Sequence, residues 1–243
     1  MEGVRVYLDQ HAGMAEDGWS AAWTFDLPYW GTCGQGPDDD AALADLAARC
    51  GLEAGSVGAG AFEIAERVDR ATTGDETVFD RDRVPASEAE RTATLRILER
   101  ARARTSELIR TASSHVMEYR DPGRVLPAYA SWHTVAQLAW HIADTESRYY
   151  LPLLDLPSRP RAADLVTELE ESGAHVRRVV SRMRPDLAVE SDAHGAWTSV
   201  KVMRRLAWHE PGELHVLAGL IERAKGSSGG EEGRRARGPR PTA

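Results

Sequence analysis

Leu138-Ala139-Trp140-His141 and Leu206-Ala207-Trp208-His209 are the same four residues. Each follows a tryptophan and a cluster of hydroxyl or β-branched side chains, Trp132-His133-Thr134-Val135 in one case and Trp197-Thr198-Ser199-Val200 in the other. Both copies sit in sequence with the apolar spacing of an amphipathic helix, and both end in an imidazole. In the second copy the apolar seam reads Val202, Leu206, His209, Glu213, Val216 and Leu220. An imidazole and a carboxylate therefore occupy successive seam positions where Leu or Val is expected, and burying both is unfavourable unless they have partners. A divalent metal ion shared with His141 would be such a partner. His209 and Glu213 lie one turn apart on one face, and metal sites in helical proteins are assembled from facing helices.

Outward from these two stretches, helix follows helix. Ser87-Glu88-Ala89-Glu90 has the capping-box pattern and opens a long amphipathic segment through Leu95, Leu98, Thr105, Ile109, Ala112 and Val116, ending before Asp121-Pro122-Gly123. A second helix is expected over 132–150, with Val135, Leu138, Ile142, Thr145 and Tyr149 inward. Pro152, Pro157 and Pro160 punctuate the loop to a third over 161–183, carried by Leu165, Leu169, Val176, Val180 and Met183. The His209 helix, expected over 198–224, is the fourth, and together they predict an all-α four-helix bundle over 86–224. The Gly/Ser run after Lys225 and the Arg/Pro-rich end cannot support a core, so 225–243 is expected to be a disordered tail.

Upstream, residues 1–83 read as a small α+β unit. Val4 to Asp9 alternates with period two, as does Trp19 to Leu27, and the Gly13–Gly18 stretch would join these two strands. Pro28, Gly31, Gly34 and Gly36 are expected to break regular structure. Asp38 or Asp39 then caps a short helix through Leu43, Leu46, Ala47 and Cys50, ended by Gly51. Phe62 to Val68 resumes β character, with Thr77-Val78-Phe79 extending the edge, and Asp80 to Pro85 is a charged linker. The expected fold class is an α+β N-terminal module followed by an all-α four-helix bundle.

Composition narrows the function classes. A chain of 243 residues has ample core without staples. Its two cysteines, Cys33 and Cys50, have no metal-ligand spacing and suggest a reducing compartment. There is no signal-like N-terminus, and no run approaches the ~18 apolar residues that span a bilayer, so a cytoplasmic protein without a membrane partner is expected. A formal net charge of −8 disfavours nucleic acid as a partner. A Gly-rich phosphate loop and a plausible Cys/His dyad are absent from the sequence.

The segment 132–150, with its Trp-x-Thr-Val start, Leu-x-x-His-Ile-Ala core and Glu146-Ser147-Arg148-Tyr149-Tyr150-Leu151 continuation, resembles the DinB/YfiT-like superfamily, as does Arg204-Arg205-Leu206-Ala207-Trp208-His209. The resemblance covers about Ser87 to Ala224. It implies a divalent metal, zinc first and nickel or iron as alternatives, held by a His on the second helix and a pair one turn apart on the fourth. His141 and His209 fall on two of those positions, and Glu213 stands where His is usual; carboxylate ligands occur in the maleylpyruvate-isomerase branch. Members of some branches are transferases or isomerases that use a low-molecular-weight thiol such as mycothiol, and dimers are common. More weakly, residues 1–83 resemble the HicB-type module, on Leu27-Pro28, the Cys33/Gly34/Gly36 turn and the Asp39-to-Leu46 helix, although Pro28-to-Cys33 is longer than the family's Pro-Gly-Cys turn.

Three local questions accompany the site. Pro211 and Gly212 disfavour a continuous fourth helix, and a break there would let His215 replace Glu213. Glu146 and Asp144 follow His141 on the same helix; Asp144 is a candidate acceptor for an imidazole N–H, and Tyr149 a candidate donor to substrate, each against an ordinary solvated or packed role. His115, His133, His175 and His194 read as surface or cap residues. The expectation is thus a metal-dependent enzyme with His141, His209 and Glu213 as ligands, acting by thiol transfer or isomerisation on a small electrophilic molecule. The alternatives are a hydrolase or lyase using activated water, and a non-catalytic binding or stress-response adaptor with a vestigial site.

Overall fold

Strand β1 (Val4–Gln10) organises the N-terminal sheet because its alternation serves two layers. Val6 and Leu8 pack with Ala22 of β2 (Ser20–Thr24) against Ala42 and Leu46 of helix α1 (Asp39–Arg49). Tyr7 joins Trp23 and Phe25 in a larger core shared with the helices that follow. The computed structural model describes residues 3–10, 18–52, 62–69, 77–126, 130–192 and 194–235, with side chains as far as Ser227. The expected Gly13–Gly18 loop lies, apart from Gly18, outside them. Among the described residues the fold is mixed α/β: a sheet of order β3-β2-β1-β4, a two-stranded hairpin and six α-helices.

Two N-terminal expectations are corrected. Cys33–Gly36, read as irregular, is strand β3, antiparallel to β2. Its glycines bring the strand against α1: a Cβ on Gly34 would sit 2.2 Å from the Ala42 carbonyl oxygen, and one on Gly36 2.5 Å from the Ala41 Cβ. Thr77–Phe79 is not a strand; its buried side chains enter the core ahead of a 3-10 turn, Asp80–Arg83. Within that charged stretch Asp82 is buried and takes two hydrogen bonds from the Arg204 guanidinium, at 2.8 and 2.7 Å. Asp38 caps α1, and β4 (Phe62–Asp69) lies parallel to β1.

In the helical part, Ser87 and Glu90 form the expected capping box of α2 (Glu88–Thr111). The segment is not continuous to Val116: Ala112 is extended and Ser113 caps a separate short helix α3 (Ser114–Glu118). Thr134 and Gln137 box the start of α4 (Val135–Asp144), leaving Trp132 outside it, and the chain continues as a π-helical turn, Thr145–Tyr150. Asp164 caps α5 (Leu165–Arg182). A hairpin that the sequence reading missed, β5 (Ala188–Ser191) with β6 (Gly195–Thr198), leads directly into α6 (Ser199–Arg235). Helix α6 passes through Pro211 unbroken and continues beyond Ala224, with Lys225 paired to Glu222 and the Ser227 hydroxyl donating to the Ala224 carbonyl. Helices α2 and α4 each pack against α5 and α6. No described helix is long and apolar enough to cross a membrane.

Candidate metal centre

Helix α6 supplies two residues of the centre and α4 the third. The seam Val202, Leu206, Leu220 is fully buried, and His209 and Glu213 continue it. On α4, Leu138 and Ile142 pack inward, which turns His141 toward α6. The His141 and His209 Nε2 atoms stand 3.3 Å apart, and Glu213 Oε1 is 3.7 Å from His141 Nε2. Ligand atoms of the three residues all lie within 4.8 Å of one another, so the set can hold a metal ion.

The far sides of both rings decide what converges. His141 Nδ1 meets the Thr145 hydroxyl at 3.2 Å. His209 Nδ1 faces Glu146 Oε1 at 3.8 Å, and neither of these buried atoms has a hydrogen bond among the described residues. A proton on each Nδ1 gives every N–H an oxygen to face and leaves both Nε2 lone pairs aimed at one point beside a carboxylate. In that tautomer a cation at the common point relieves the repulsion among the three acceptors. Nitrogen ligands ~2.0–2.1 Å from a tetrahedral ion stand ~3.3–3.4 Å apart, which is the separation of the two Nε2 atoms. The residues present therefore fit a divalent metal with two imidazoles and one carboxylate.

Electrostatics favours the same reading. Burial holds the His209 pKa down to about 4, so the ring stays neutral. His141 is also lowered by burial, with Glu213 acting against it. Glu213 is lowered despite burial, because the two imidazoles and Arg124 favour its charged form. Behind the ligands, Arg102 of α2 is a buried hub: Nη2 donates to Glu146 Oε2 and Nε to Glu210 Oε1, each at 2.8 Å, while Nη1 donates to the Leu169 carbonyl and the Ser172 hydroxyl. Burial pushes Glu146 and Glu210 up to about 7 each, and the shared guanidinium opposes that shift.

A cleft of about 510 Å³ opens onto His209 and Glu213 between α6 and the N-terminal part, where Thr32, Cys33 and Gln35 at β3 and Arg49 of α1 form the opposite wall. The sheet reaches the site through Gly31, with φ +79°; a Cβ there would lie 2.8 Å from the Ala207 carbonyl oxygen. That carbonyl has no helical donor, because residue 211 is proline. Trp132 covers the outer side of His141, ring to ring at 3.6 Å and nearly parallel.

Of the weaker candidates, Asp144 turns away from His141 and pairs with Arg148 and Arg161. The Thr145 hydroxyl is the group that meets His141 Nδ1 instead. Tyr149 packs among Tyr150, His194 and Trp197. His215 lines the cleft but is exposed and stands outside the three-residue cluster. His175, read as a surface or cap residue, is buried, with Nε2 2.7 Å from the Pro157 carbonyl oxygen. Arg102 was not singled out, since a charged residue on a helix reads as solvated until its neighbours are known, and Glu146 was noted only as following His141 on the same helix. Comparisons with protein-family models, curated proteins and solved structures return no match for this chain.

Proposed function

We propose that the protein is a metal-dependent enzyme of the DinB-like type, with α2, α4, α5 and α6 as a four-helix bundle and a HicB-like module covering the site. The observation that carries the reading is the convergence of His141, His209 and Glu213 within 4.8 Å, with His209 and Glu213 lining a cleft. The three residues would hold a divalent ion, zinc first and nickel or iron as alternatives. Bound there, the ion supplies Lewis acidity that lowers the pKa of a coordinated thiol or water. The substrate class we assign is a small electrophilic molecule, attacked by a low-molecular-weight thiol in a transfer or isomerisation; a cytoplasmic homodimer is the expected working form.

The chain's own residues have definable roles. His141 and His209 act as neutral donors, kept so by burial. Gln35, whose Oε1 is buried without a hydrogen bond among the described residues, offers an acceptor to a substrate N–H or O–H along the cleft wall. Trp208 and Val216 give the same cleft apolar surface.

Elemental analysis of protein purified without chelator tests the reading, beside His141→Ala and Glu213→Ala. Near one divalent ion per chain, lost in both variants, supports it. Thiol-dependent consumption of a chromogenic electrophile by the loaded wild type then separates transfer from hydrolysis, which proceeds without thiol. A wild type that takes up no zinc, nickel or ferrous iron overturns it in favour of the adaptor.

A further inference from the structure

Glu146 lies at the one place where the second helix changes its winding. An α-helix would carry residue 146 ~140° round from residue 141. The π-helical turn Thr145–Tyr150 begins here, and each of its bonds spans one residue more. Thr145, one turn on from His141, meets that ring while Glu146, on the next residue, reaches His209. The carboxylate is only 1% exposed, and its Oε2 is held by Arg102. Gly173 leaves room for that guanidinium, since a Cβ there would sit 2.9 Å from Arg102 Nη1. Arg102 thus leaves Oε1 as the free end of the carboxylate, and it points at the one buried ring nitrogen that has no hydrogen bond among the described residues.

We propose that Glu146 is the positioning residue of the centre: it accepts the Nδ1–H of His209 and so holds the Nε2 lone pair toward His141 and Glu213. The inference rests on the metal reading for its purpose, but its geometry stands without an ion. The 3.8 Å separation is long for a hydrogen bond. Such contacts commonly tighten when a site is filled, and ligating histidines generally donate their other N–H to an oxygen.

Glu146→Gln is an isosteric test with a definite direction. Arg102 can only donate, so the Gln oxygen must turn to the guanidinium and its NH₂ to His209. A donor then faces Nδ1, and the ring proton moves to Nε2, where it blocks ligation. The measurement is the ¹⁵N spectrum of histidine-labelled, metal-free protein, together with cobalt(II) affinity by competition against a chromophoric chelator. The wild type should show His209 protonated at Nδ1; the variant should show it protonated at Nε2, with cobalt affinity about 10–100-fold weaker. Glu146→Met removes the acceptor without supplying a donor and should give mixed tautomers and an intermediate loss; it takes the place of the Gln variant if that does not fold. An unchanged tautomer with cobalt affinity within about twofold of wild type would overturn the proposal while leaving the metal reading intact. A tautomer switch in a protein whose wild type binds no cobalt would sustain the positioning role and sink the metal reading instead.

Discussion

The two Leu-Ala-Trp-His copies end in histidines that share a centre but not an environment. In the α4 copy, Trp140 lies under the exposed Arg161 guanidinium, at 4.6 Å, and His141 is roofed by Trp132. In the α6 copy, Trp208 meets Trp23 of the sheet and the buried Arg205, and His209 packs edge-on against Tyr150. His141 keeps 18% of its side chain accessible and His209 only 4%. The tetrad thus sets where each imidazole falls on its helix, while the neighbouring layers set its solvation. One ring forms the rim of the centre and the other its buried anchor, set beside the buried Arg102, Glu146 and Glu210.

Arg102→Met should give the largest contrast between the two surroundings. Glu146 and Glu210 would lose the cation they share in a water-excluded site, and removing one partner of such a buried arrangement costs about 3–5 kcal/mol. Arg161→Ala, at the outer copy, removes a half-exposed ion pair and a cation–π contact worth at most about 1 kcal/mol. Urea denaturation of both variants checks this, and equal losses would break the division into anchor and rim.

Acid sharpens the same contrast at slightly smaller magnitude. The folded pKa of His209, about 4, lies below its ordinary 6.5. A depressed value means that the neutral ring contributes stability fully present above pH 6.5 and lost as pH falls through 4; the difference corresponds to about 3 kcal/mol. The raised carboxyls, Glu146 and Glu210, have the opposite sign, their contribution being present below 4.5 and lost as pH rises through about 7. Both are shared with a His209→Gln variant, so they cancel in a comparison. Metal-free wild type should therefore lose stability relative to that variant between pH 7 and pH 4 in urea titrations. A constant difference would mean that His209 is solvated.

How much of this was legible depended on whether one chain segment carried the signal. The seam Val202-Leu206-His209-Glu213 and the repeated tetrad carry it alone, because helical spacing is a local property, and these residues do come together. The capping residues Asp38, Ser87 and Thr134 also act within one turn. Strand β3 was hidden because its glycines are explained only by how closely α1 approaches. Asp82 reads only as part of a charged linker, because the Arg204 that pairs with it lies far along the chain. The Arg102 hub fails in the same way, joining α2, the π-helical turn, α5 and α6 through side chains whose sequence neighbours say nothing of burial. The π-turn itself shifts Glu146 by a fraction of a turn, which a fixed helical period cannot anticipate.

The smallest expected effect concerns the third ligand. If α6 were broken at Pro211, Glu213 would swing away and His215 could take its place. The helix is continuous, however, and on a continuous helix residue 213 lies one turn from His209 whereas residue 215 lies ~120° away. What proline removes is the donor to Ala207, on the side where the Gly31 turn presses against that carbonyl. The missing hydrogen bond therefore falls at an interface rather than at the ligands, and the seam passes through undisturbed. His215→Ala should change cobalt affinity less than about twofold, whereas Glu213→Ala, which deletes a ligand, should weaken it beyond the ~10–100-fold typical of supporting residues. The opposite order in the chelator competition would require α6 to open at Pro211 when metal binds, and would move the anchor and rim onto different residues of one helix.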